Sequence, residues 1–201
     1  MLTDLDLCRI TEYSYNHYTW TAGELSALFT VEQNTKIIAI PGTKREIGEW
    51  LRDIDAWPIF DVELGICHQG FCDGAFDLLY HMPLTYSEFS NVVITGHSLG
   101  GALAILLAAL LSNWNCPPAA VVTFGAPRCA SWRVRRLLRH IPLKLYCNGD
   151  DPVPEVPWLP GIYVHPRKLI HIGEPSLNII EDHFITSYIQ SLEDINAKVS
   201  A

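Results

Sequence analysis

Charge is scarce in this 201-residue chain. Only 18% of its residues are Asp, Glu, Lys or Arg, and 22 acids against 14 bases leave a formal charge of −8. An acidic balance supplies no electrostatic reason to bind phosphate backbones, so a nucleic-acid partner is not expected, and any lipid contact should be hydrophobic rather than electrostatic. A long hydrophobic run is also missing. The longest, Ala102 to Leu111, falls well short of the roughly 20 residues of a transmembrane span and reads as a buried helix. The amino terminus carries Asp4 and Asp6 where a secretory leader has basic residues, with no long apolar region after them, so a cytoplasmic location is expected. No repeat, low-complexity tract or Gly/Ser-rich linker divides the chain, and one domain over residues 1–201 is expected. None of the six cysteines (Cys8, Cys67, Cys72, Cys116, Cys129, Cys147) has metal-site spacing with histidine. Neither a metal nor a cofactor is expected, and the thiols are read as reduced, with Cys67 and Cys72 close enough in sequence for a pair.

What is present is apolar material, 49% of the chain, which excludes disorder. Its pattern alternates between strand and helix. A loosely helical opening runs to about Tyr18. Glu24 to Val31 and Lys36 to Ile40 read as strands around a Gln33-Asn34-Thr35 turn. Ile47, Trp50, Leu51 and Ile54 form an i, i+3, i+4, i+7 stripe that predicts a short amphipathic helix within Lys44 to Ile54. Strands follow at Val62 to Cys67, Asn91 to Thr95, Ala120 to Phe124 and Leu143 to Cys147. Helices are expected at Asp73 to Tyr80, Gly101 to Leu111, Ser131 to Arg139 and His183 to Ile195, with a hairpin or extended pair at Ile162 to Ile172. This order predicts an α/β fold with a mostly parallel central sheet covered by helices on both faces, and such sheets bind ligands beyond the carboxyl ends of their strands.

One loop at such an end carries chemistry. Gly96-His97-Ser98-Leu99-Gly100 follows an apolar strand and opens an apolar helix. In G-x-S-x-G the serine sits on a sharp turn with positive φ, and glycines two residues to either side remove Cβ atoms that would collide. The turn lifts the Ser98 hydroxyl out of the sheet, and the Leu99 N–H faces an oxyanion formed on attack. A serine nucleophile needs a base, and the base an orienting acid, in the chain order Ser, Asp, His. Asp150 and Asp151 both follow the strand Leu143 to Cys147 and either could be the acid. Of His165, His171 and His183, the last lies on a loop able to reach back over the sheet. His97 points elsewhere and reads as a packing residue.

These residues carry a resemblance to the class 3 lipases, the α/β-hydrolase family that includes the filamentous-fungal triacylglycerol lipases. Pro41-Gly42-Thr43 resembles its R-G-[ST] oxyanion segment, and Trp50-Leu51-Arg52-Asp53 follows. His68-Gln69-Gly70-Phe71 resembles H-x-G-F, and GHSLGGALA from Gly96 to Ala104 resembles the nucleophile turn. Thr123 to Arg128 resembles the next strand and turn, Asp151-Pro152-Val153-Pro154 the D-x-V-P acid motif, and His183 with Tyr188 the terminal histidine–tyrosine pair. The landmarks span about residues 36–190. Pro41 departs from the family's arginine, and Cys129-Ala130 from its glycine-containing turn.

The resemblance implies Ser98, Asp151 and His183 as the catalytic triad, with Thr43 joining Leu99 in the oxyanion hole. It implies hydrolysis of acyl esters, of triacylglycerol type, through an acyl-enzyme and without a cofactor. Residues 44–55 stand where the fungal lid stands, equally readable as a fixed surface helix. Trp50, Phe71 and Trp158, with Trp57 and Phe60, are candidates for an acyl pocket. The rival readings are a phospholipase A1 or galactolipase, a feruloyl-type esterase, an acyltransferase, and a catalytically silent lipase fold used as an interaction module. The Arg133, Arg135, Arg136 and Arg139 face reads as solvated.

Overall fold

A computed structural model describes residues 2–43, 57–85, 88–89, 91–129, 131–159 and 161–200. The helix expected within 44–54, and Trp50 with it, lies outside the described residues. Helix α1 (Asp4–Tyr13) leads into β1 (Trp20–Ala22), β2 (Leu25–Glu32) and β3 (Thr35–Ile40). A ribbon of β4 (Pro58–Asp61) and β5 (Gly65–His68) precedes α2 (Gln69–His81). Then come β6 (Val92–His97), α3 (Leu99–Asn113), β7 (Ala120–Phe124), α4 (Trp132–Leu137) and β8 (Leu143–Asn148). The chain closes with β9 (Ile170–Ile172), the single turn α5 (Ile179–Asp182) and α6 (Ile185–Ser200).

Seven strands form one sheet in the order β1-β2-β3-β6-β7-β8-β9. The first three pair antiparallel, and β3, β6, β7, β8 and β9 are parallel neighbours. Because strand side chains alternate faces, each β-branched pair feeds two cores. Ile38, Ile94, Val121 and Leu145 pack with α2 and α3 on one face. Ile37, Val122, Phe124 and Tyr146 pack on the other with Leu7 and Cys8 of α1 and Tyr188 and Leu192 of α6. Helices therefore cover both faces, as the alternation predicts. Gly100 to Leu111 is buried throughout, which explains why α3 has no polar stripe. No helix among the described residues is long and apolar enough to cross a membrane.

Several expectations need correction. The strand expected at Val62 to Cys67 begins only at Gly65, because the Asp61 Oδ1 accepts the N–H groups of Glu63 and Leu64, each at 2.8 Å, and turns the chain between β4 and β5. The extended pair expected at Ile162 to Ile172 reduces to β9, which pairs parallel with β8 rather than folding into a hairpin. The helix expected at His183 to Ile195 begins only at Ile185, after a separate short turn. Asn178 caps the short α5 by accepting the Ile180 N–H at 3.1 Å, and His183 falls in the break before α6. The β2–β3 turn is tighter than read: Gln33 and Asn34, at φ 48° and 65°, are its two central residues, as a two-residue hairpin with the strands' twist requires. All six cysteines are buried free thiols, and Cys67 and Cys72 are not bridged.

Candidate active site

The strand-to-helix turn between β6 and α3 holds Ser98 at φ 55°, ψ −125°, a conformation costly for a residue with a side chain. Its backbone is held from outside: the Ser98 N–H donates to the Phe124 carbonyl of β7 at 3.0 Å. The flanking glycines are demanded by contact. A Cβ on Gly96 would lie 2.3 Å from the Gly100 carbonyl oxygen, and one on Gly100 would lie 2.1 Å from the Ile40 carbonyl oxygen. Gly100 thus lets the first turn of α3 close directly onto the end of β3. Leu99, first residue of α3, has an N–H outside the helix's own ladder, at the positive end of its dipole.

Around this turn the structure brings together Ser98, His183 and Asp151, all buried. His183 Nδ1 lies 2.8 and 2.9 Å from the two Asp151 oxygens. A carboxylate only accepts, so Nδ1 carries the proton and Nε2 is left to accept the Ser98 hydroxyl, 2.8 Å away. Asp151 accepts two further bonds, from the Val153 N–H at 2.9 Å and the Tyr188 hydroxyl at 2.5 Å. Burial, and then the neighbouring Asp151 charge, push the Tyr188 phenol well above its ordinary range, so it stays protonated and donates. The arrangement can take a proton from Ser98 Oγ onto Nε2 while the carboxylate holds the imidazole and steadies its positive charge. Asp150 takes no part: its N–H, not its side chain, is used. His165 donates from Nε2 to the Pro154 carbonyl at 2.8 Å, and His171 is exposed on β9.

A second set of groups positions the triad, and sequence reasoning missed it. His97 Nε2 donates to the His183 carbonyl at 2.8 Å, which leaves Nδ1 to accept the Tyr15 hydroxyl at 2.6 Å. Burial, and then repulsion from His183 when that ring is protonated, hold His97 well below the usual histidine range, so it stays neutral. The Tyr15 hydroxyl also packs against Gly42, where an added Cβ would lie 2.5 Å from it. One phenol therefore lies between the segment bearing Thr43 and the histidine that holds the His183 backbone. On the other side the Asp182 carboxylate accepts the N–H groups of Asp150 at 2.9 Å and Ser176 at 3.2 Å. Asn148 donates to the Asp182 carbonyl at 3.1 Å and accepts the Ser191 hydroxyl at 2.6 Å. Burial alone would raise the Asp182 carboxyl, but the donors from Asp150 and Ser176 outweigh it and hold it below the ordinary range. Asp182 could have been noticed beside His183. Nothing near Tyr15 in the sequence marks it.

Thr43 and Leu99 share one wall of a cavity of about 500 Å³ between the β1–β2 hairpin and the end of β3, lined also by Tyr18, Ile40, Pro41 and Gly42. Of the acyl-pocket candidates, Phe71 is buried and stacks on His68 with ring centroids 4.0 Å apart. Trp57, Phe60 and Trp158 are 68%, 76% and 74% exposed, and none of these four lines that cavity. Among the described residues no group of His, Cys, Asp and Glu could hold a metal ion.

Residues 37–160 match the family model described as lipase (class 3). The chain is 33% identical over 122 residues to toxin TseL of Vibrio cholerae serotype O1, covering 58% of this chain and 19% of that one. It is 34% identical over 94 residues to the chloroplastic phospholipase A1-Igamma2 of Arabidopsis thaliana, covering 42% and 18%. The chain thus spans under a fifth of the length of either relative. In architecture it is similar to the nonglycosylated LIP2 lipase of Yarrowia lipolytica, with a TM-score of 0.63 at 22% identity over 78% of this chain and 64% of that one.

Proposed function

As this chain belongs to the class 3 lipase family, we propose that it hydrolyses carboxylic esters of lipids through an acyl-enzyme. Ser98 attacks the ester carbonyl while His183 Nε2 takes its proton, then returns it to the departing alcohol. Asp151 holds the imidazole tautomer, and the N–H groups of Leu99 and Thr43 receive the oxyanion. Removing one such donor typically costs on the order of 10²–10³ in turnover. Water, activated by the same histidine, then releases the acid, and the residues present need no cofactor for either step.

The observation that carries this reading is the buried chain of bonds Ser98 Oγ to His183 Nε2 at 2.8 Å and His183 Nδ1 to Asp151 at 2.8 Å. A silent lipase-fold module would have no use for it. The test is turnover of a p-nitrophenyl acyl ester together with labelling by a fluorophosphonate probe. Wild type should label at Ser98, and Ser98→Ala should lose label and more than about 10⁴-fold in turnover. Full activity in Ser98→Ala would refute the mechanism.

A second reading of the substrate, phospholipase A1 action on diacyl phospholipids, is favoured by the similarity to the Arabidopsis phospholipase. Triacylglycerol, phosphatidylcholine and a galactolipid, offered with matched acyl chains, separate the two readings by the ratio of kcat/KM.

A further inference from the structure

The acidic total conceals a lopsided distribution. Four of the chain's 14 bases, Arg133, Arg135, Arg136 and Arg139, fall on α4 and the turn after it, and all four are exposed. Among the described residues none of them forms an ion pair with a carboxylate. The Arg135 guanidinium lies 4.7 Å from the centre of the Trp132 ring, itself 58% exposed. Trp132, Arg133, Arg136, Leu137, Arg139 and His140 border a shallow groove of about 630 Å³.

Beside this helix stands the β4–β5 ribbon. Phe60 and Ile66 are cross-strand partners and so share a face. They are 76% and 41% exposed, while Cys67, in the alternate pair with Ile59, is buried in the core. Val62, at the ribbon's turn, is 76% exposed. The two elements are stitched together by the Ser131 N–H donating to the Ile66 carbonyl at 3.0 Å and Arg133 Nε to the Glu63 carbonyl at 2.7 Å. Unpaired arginines with an accessible tryptophan therefore adjoin a ribbon whose outer face is aromatic and aliphatic.

We propose that this face docks the protein onto an anionic lipid surface. Phe60, Val62 and Ile66 enter the acyl boundary, and the α4 arginines meet lipid phosphates. An acidic protein would satisfy the arginines but leave the apolar outer face of the ribbon without a partner, which favours the lipid surface. The rest of the chain sets its 10 other bases against 22 acids, so its net charge disfavours an anionic membrane. The proposal does not depend on catalysis.

The test is sedimentation of the full chain with vesicles of phosphatidylcholine alone or with about 30% phosphatidylglycerol, at about 0.05 M and about 0.5 M salt. Wild type should bind the anionic vesicles at least about tenfold more tightly, and lose that preference at high salt. Each arginine near such a surface contributes about fivefold, so Arg135→Gln with Arg136→Gln and Arg139→Gln should weaken binding on the order of a hundredfold. Arg133 is spared because it holds the ribbon. Phe60→Ser should weaken binding about tenfold or more, and thermal melts matching wild type would show that the variants fold. Equal binding to both vesicles, or an undiminished triple variant, would overturn the proposal. So would a wild-type chain that ignores vesicles but is retained by immobilised polyglutamate, which would assign the face to an acidic protein.

Discussion

Replacing Tyr15 by Phe removes one oxygen and keeps the ring, which makes it a sharp probe of the network behind the triad. That oxygen donates to His97 Nδ1 at 2.6 Å and packs against Gly42. His97 is buried, so its orphaned nitrogen costs about 1–3 kcal/mol. That loss is centred near 2 kcal/mol, a fall in Tm of about 4–8 °C for a chain of this size. Activity should suffer separately. Gly42 precedes Thr43, and His97 holds the His183 carbonyl, so the proposed oxyanion donor and the proposed base both lose a constraint. Turnover of a soluble ester should drop about tenfold with KM little changed, since an interaction gained only in the transition state is what weakens. The control is Tyr13→Phe, whose ring is 53% exposed and whose loss of a hydroxyl should stay within about 0.5 kcal/mol. If Tyr15→Phe matched Tyr13→Phe in both Tm and turnover, the Tyr15 hydroxyl would be packing and nothing more.

Gly100→Ala places a methyl 2.1 Å from the Ile40 carbonyl oxygen and should destabilise by more than about 3 kcal/mol or prevent folding. Gly70→Ala, whose Cβ meets only His68 at 3.6 Å, should gain about 0.5 kcal/mol; chemical denaturation measures both. Asp182→Ala orphans the N–H groups of Asp150 and Ser176 and should lower turnover several-fold along with about 2 kcal/mol of stability, whereas Asp182→Asn should recover part of each. His97 and His165 are both depressed, chiefly by burial. Below about pH 6.5 the unfolded chain therefore binds protons that the folded chain refuses, and stability falls as pH falls, by up to about 1.4 kcal/mol per unit for each histidine. Urea midpoints between pH 7 and 5 would expose this slope, and a flat profile would contradict it.

The parts of this fold readable from sequence are those determined locally. The nucleophile turn is written in five consecutive residues because its steric demands reach only two residues either way. The strands that feed both cores declare themselves as short apolar runs. What escaped reading depends on distant partners. β9 is a strand only because β8 offers it an edge, and Tyr15 acquires its importance from groups 27 and 82 residues further along the chain. The break at His183 hangs on an Asn178 cap and on Asp182 reaching back to Asp150, neither visible as periodicity.

The bond from the Ser98 N–H to the Phe124 carbonyl has a consequence for how the site opens. A backbone held at positive φ would relax if released, yet its anchor is the next strand of the sheet rather than a neighbouring loop. Releasing Ser98 therefore means parting β6 from β7, the middle of the molecule. In amide exchange the Ser98 proton should leave with the slowest protons of the sheet, through global unfolding rather than local fraying. The reactive turn then persists as long as the fold itself does.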